Sequence, residues 1–137
     1  MDKSSPALLK NTLLANAAFS ALGGVLCLAA NDLLTTFMGM ADGLYLYIVG
    51  AGLLIFAVDV AYTATRATIK PLSVKMIIGG DVAWVIASFL LVALMPQLFD
   101  FYGIVLIEFV ALDVAIFAVL QTVGLKRMAN TSGQVTA

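Results

Sequence analysis

Four carboxylates, Asp59, Asp81, Glu108 and Asp113, stand inside stretches that are otherwise almost wholly apolar. An ionised carboxylate in hydrocarbon costs at least a few kcal/mol. Such groups therefore carry protons or cations, bind a substrate, or hold helices together by hydrogen bonds. Spacing offers some of them partners. Arg66 follows Asp59 by two helical turns on the same face, and Lys75 precedes Asp81 near the end of its segment. Both acids can then pair with cations in a wet vestibule. Asp113 has no such neighbour, because Lys126 lies roughly three and a half turns away. Its simplest partners are Asn16 or Ser20 on another helix. Glu108 precedes Asp113 by five residues, a rotation of about 140° around a helix, so the two do not share a face.

The elements that position these residues are membrane helices. The chain has 137 residues, 63% hydrophobic and only 11% charged, whereas a soluble domain is roughly a quarter charged. Its mean hydropathy is +1.09. Crossing the hydrocarbon takes about 20 apolar residues, and four segments qualify: 13–30, 44–65, 76–95 and 103–125. Residues 126–137 read as a polar tail, disordered at its end, of one membrane domain. The segments are too continuous for barrel strands, and lipid tolerates no unpaired backbone. The expected fold class is an all-α four-helix transmembrane bundle.

Helical spacing gathers the polar residues into faces. Thr12, Asn16, Ser20, Gly23 and Cys27 form one small, polar stripe on the first helix. Tyr45, Gly52, Asp59, Thr63 and Arg66 share a face of the second, and Asp81, Trp84 and Ser88 a face of the third. Asp113 aligns with Phe109, Phe117 and Gln121 on the fourth. These faces are expected to point inward. The candidate intramembrane polar cluster is thus Asn16, Ser20, Asp59, Arg66, Asp81, Trp84, Gln121 and Asp113, with Glu108 directed to a neighbouring groove, another subunit or the headgroup region.

Charge sets the threading. Lys3, Lys10, Arg66, Lys70, Lys75, Lys126 and Arg127 are every Lys and Arg in the chain, and a four-span path puts all of them on one side. The other two connections carry only Asp32, Asp42 and Asp100. By the positive-inside rule both termini are cytoplasmic. Within the longer outer connection, Asn31–Gly43, the apolar set Leu33, Leu34, Phe37, Met38 and Met40 predicts a short interfacial helix. A faint repeat pairs Asn16–Phe19 with Asp81–Trp84, and Ala57–Ala61 with Ala111–Ala115. It implies two tandem helical hairpins, although matches this short also arise by chance in such helices.

Several functions are disfavoured. With no histidine and one cysteine, Cys27, imidazole-based catalysis, the usual zinc and copper sites and an internal disulfide are absent. No cofactor is implied, and no phosphate loop or nucleophile–base pair appears. A net charge of −1 without a basic tract argues against nucleic acid. In architecture the chain resembles the small multidrug transporters, but their membrane carboxylate is a glutamate in the first helix, where this chain has Asn16. It looks most like the small bacterial four-span proteins, which implies the cytoplasmic (inner) membrane. The expected role is a non-enzymatic accessory or scaffold subunit, surrounded by lipids and packed against itself or a larger complex. The alternatives are a small proton-coupled transporter or channel using the intramembrane acids Asp59, Asp81 and Asp113, and an enzyme or lipid-binding protein using the cytoplasmic vestibule.

Overall fold

A computed structural model describes residues 4–136, with side chains from 7 to 130; Lys3 lies outside the described residues. Every element is helical: α1 (Ser4–Ala29), α2 (Asn31–Phe37), α3 (Leu44–Thr65), α4 (Pro71–Leu94), a 3-10 turn (Pro96–Leu98) and α5 (Phe101–Thr136). Four helices are long and apolar enough to span a membrane, so the protein is an all-helical chain compatible with multiple membrane crossings. The short helix expected in the Asn31–Gly43 connection is α2.

Two helices run beyond the apolar segments read from the sequence. α1 begins near Ser4, well before Leu13, and α5 continues past Leu125 into the polar tail. Residues 126–136 contain no proline, and Lys126, Arg127, Met128 and Ala129 are good helix formers that carry α5 past its apolar part. At about 1.5 Å per residue, α5 is roughly 54 Å long and exceeds the ~30 Å hydrocarbon thickness.

Breaks fall where the backbone requires them. α3 ends at Thr65 because Arg66 turns extended (ψ 147°). Lys70 is extended before Pro71, as a residue preceding proline prefers, and Pro71 opens α4 where its missing N–H costs nothing. Across the chain, Asp100 caps α5 through a 2.7 Å bond from the Gly103 amide to its Oδ1. The Asp100 amide in turn bonds the Met38 carbonyl, fastening the two connections at this end of the bundle. Gly39 beside it adopts φ +70°, and a Cβ there would lie 2.7 Å from the Asp100 Cβ. Only glycine meets both demands.

Helix packing is uneven. α1 runs closely along α3, α4 along α5, and α1 also touches α5, whereas α3 and α4 meet only sparsely. One apolar cluster fills the end where the basic residues gather, formed by Leu9, Leu13, Ala17, Val60, Ala64, Val74, Ile77 and Leu125. A smaller one, around Cys27, Met38 and Leu46, closes the acidic end beneath the connections. Asn31 ties that end together, donating to the carbonyls of Cys27 (3.1 Å) and Gly43 (2.9 Å).

Candidate functional site

The polar stripe of α1 is buried, and close to its middle stands Asn16, 1% exposed. Facing it are Asp81 from α4, 3% exposed, and Gln121 from α5, 0% exposed. The Asn16 amide Nδ2 donates to Asp81 Oδ2 at 2.9 Å and to Gln121 Oε1 at 2.9 Å. Gln121 Nε2 donates to the same Asp81 Oδ2 at 2.8 Å, which closes a ring across three helices. Ser20 completes it by donating to Asn16 Oδ1 at 3.3 Å.

The chemistry of the groups dictates these orientations. An ionised carboxylate only accepts, so both amide nitrogens turn toward Asp81. Asn16 then spends both its hydrogens, one on the acid and one on Gln121, and its oxygen is left for Ser20. A network in which each member answers another is what makes buried polar groups tolerable and geometrically specific. The closest chemical description is a polar lock that fixes the register of α1, α4 and α5.

This reassigns two acids. The spacing puts Asp81 near the boundary, paired with Lys75; it lies instead close to the middle of α4 and takes its bonds from Asn16 and Gln121. The partners expected for Asp113, Asn16 and Ser20, are both engaged in the lock. Asp113 is instead half-buried, one turn from Phe117, whose ring packs edge-on against Phe19 of α1 at 5.6 Å. It therefore lies on the seam between α1 and α5.

Asp59 also departs from expectation. Its side chain is exposed on α3, while Ala57, Val60, Thr63 and Ala64 turn inward. It lines a cleft of about 130 Å³ with Tyr62, Thr63, Arg66, Thr68, Lys70 and Ser73. The expected Asp59–Arg66 pair does not form among the described residues. Arg66 closes α3 and reaches back one turn instead of two, its guanidinium lying over the Tyr62 ring, 4.9 Å from the centroid. Thr68 and Ser73 are not singled out by the sequence, since they flank a proline turn rather than recurring at helical spacing.

Trp84 and Glu108 stand apart from the lock. Both are half-buried, and Trp84 Nε1 and Glu108 Oε1 are enclosed without a hydrogen-bond partner. Of the nine candidate residues, then, the structure brings together Asn16, Ser20, Asp81 and Gln121, and sets Asp59 with Arg66 in a separate cleft. Trp84, Glu108 and Asp113 stand singly. Comparison with family models, with curated proteins and with solved structures finds no match.

Proposed function

We propose that this protein is a non-enzymatic accessory or scaffold subunit of a bacterial cytoplasmic membrane, with both termini in the cytoplasm, which packs against itself or a larger complex. The observation that carries this reading is the closed Asn16–Asp81–Gln121 ring. Asp81, the most deeply buried acid among the described residues, takes both its bonds from other helices of the chain, so its burial is accounted for by helix packing. The large apolar side chains left exposed along α3, α4 and α5 suit contact with lipid and with neighbouring subunits. Asn16 and Asp81, equivalent in the faint repeat, meet in the lock, which favours two hairpins related by an axis along the membrane normal.

The test is the state of the full chain after gentle extraction. Native mass spectrometry from a mild detergent is expected to show a homo-oligomer or a complex with other membrane subunits. A stable, lone monomer at every protein concentration would overturn the scaffold reading.

The transport alternative draws on Asp59, Glu108 and Asp113, whose carboxylates have no polar partner among the described residues. Proton flux into proteoliposomes that is abolished by Asp113→Asn or Asp59→Asn, with assembly intact, would favour it over the scaffold.

Threading is tested independently. Single cysteines replacing Asp42 and Asp100 in a Cys27→Ser background should react with an impermeant thiol reagent added outside intact cells. A cysteine at Lys70 should react only after the membrane is opened. Labelling at Lys70 in sealed cells would reverse the orientation.

A further inference from the structure

The cleft at the end of α3 combines features that the polar lock does not use. Arg66 and Lys70 bring two cations to it, both exposed, against the single acid Asp59. Thr68 and Ser73 add hydroxyl groups that have no internal hydrogen bond among the described residues. The wall is completed by the first turn of α4, a 24-residue helix without a side-chain cap. Its Leu72 and Ser73 amides precede the first helical bond, from the Val74 amide to the Lys70 carbonyl, and remain free to donate. Cations, hydroxyls and a helix N-terminus converging on one cleft make an anion site, and the geometry of a phosphate suits it.

The cleft's depth names the source of the anion. Arg66 directly follows the span Leu44–Thr65 and Lys70 directly precedes the span Pro71–Leu94, so both stand at headgroup level. Above them runs the seam between α3 and α4, the sparsely packed pair. It is pinched where Phe56 approaches Gly80, with a ring carbon 3.5 Å from where a Cβ would stand. One turn further along α3, Gly52 meets nothing within 4 Å. Gly52 and Gly80 are both exposed, so this seam is apolar and open to lipid on the membrane side of the cationic cleft.

We propose that the cleft holds the phosphate diester of an anionic phospholipid from the leaflet on the basic side, with one acyl chain lying along the α3–α4 seam. Basic pockets between membrane helices at the cytoplasmic boundary bind acidic headgroups in this way. Asp59 has a defined part. It lies six residues inside the end of α3, about 9 Å deeper along the axis. Its charge repels phosphate from the floor and keeps it at the mouth, between Arg66, Lys70 and the α4 amides. The proposal needs only that the helices span a membrane, so it stands or falls separately from the scaffold reading.

Native mass spectrometry of the delipidated full chain, titrated with phosphatidylglycerol, phosphatidylcholine or inorganic phosphate, decides it. Phosphatidylglycerol should be retained at least fivefold better than phosphatidylcholine, and each of Arg66→Gln and Lys70→Gln should cost roughly fivefold of that preference. Both side chains are exposed, so folding should be unaffected, which an unchanged helical circular dichroism melt verifies. Asp59→Asn should strengthen retention by removing the repulsion. Equal retention of the two lipids overturns the proposal, as does weaker binding in Asp59→Asn, which would mark the cleft as a cation site. Displacement of the lipid by millimolar inorganic phosphate would assign the cleft to a soluble anion instead.

Discussion

Asp81→Leu should destabilise the fold by about 2 kcal/mol, while Asp81→Asn should change it by less than about 1 kcal/mol. Leucine removes the acceptor of two buried N–H groups, on Asn16 and Gln121, that stand where no water can replace it. Stranding a buried donor costs about 1–3 kcal/mol in water-soluble proteins. Interhelical hydrogen bonds in membranes average nearer 0.6 kcal/mol, because the unfolded chain also finds partners. Taking the two limits together over two bonds leads to the figure above. Asparagine differs because a single oxygen, Oδ2, accepts both bonds; an amide oxygen in the same place keeps them. Reversible unfolding of the full chain in mixed micelles with rising SDS measures both variants. Equal destabilisation by leucine and asparagine would mean that charge, not the acceptor, holds the three helices.

The contrast among the acids shows where the sequence is legible. The α1 stripe reads directly, because Thr12, Asn16, Ser20, Gly23 and Cys27 recur at steps of three and four in an apolar background, and all but the half-buried Gly23 are buried. α3 does not read the same way. It is apolar on nearly every side, so its few polar residues point to an inner face of which only Thr63 is buried. The packed face is instead marked by small residues, Gly50, Ala57 and Ala64, one every seven positions. In lipid, close backbone approach decides the interface and a polar side chain can face a cleft at the membrane boundary. The partnership of Asp81 with Gln121 joins residues 40 apart in the chain. No local periodicity encodes such a contact; it depends on how α4 and α5 align, which the connection between them sets.

Glycine-to-alanine substitutions should separate packing from propensity along the same helices. Gly24 of α1 and Gly50 of α3 lie against each other: a Cβ on Gly24 would stand 2.9 Å from the Gly50 carbonyl oxygen, and one on Gly50 would stand 2.8 Å from the Cys27 Cβ and 3.0 Å from the Gly24 carbonyl oxygen. Backbone cannot swing aside as the tip of a side chain can, so α1 and α3 must separate. Since this is the most extensive helix contact among the described residues, the added methyl acts against a long interface, and overpacking of this kind costs about 1–3 kcal/mol. Gly24→Ala and Gly50→Ala are each expected to lose that much, and leucine at either position more. A Cβ on Gly52 or on Gly79 would meet nothing within 4 Å, so alanine there gains up to about 1 kcal/mol of helix propensity without a clash. The same chemical change should therefore carry opposite signs two residues apart, at Gly50 and Gly52. The SDS titration used for Asp81 reads all four variants. If Gly50→Ala proves as stable as Gly52→Ala, then α1 and α3 are not held at the close approach described, and the register that brings Asn16 to its partners must be set from α4 and α5 alone.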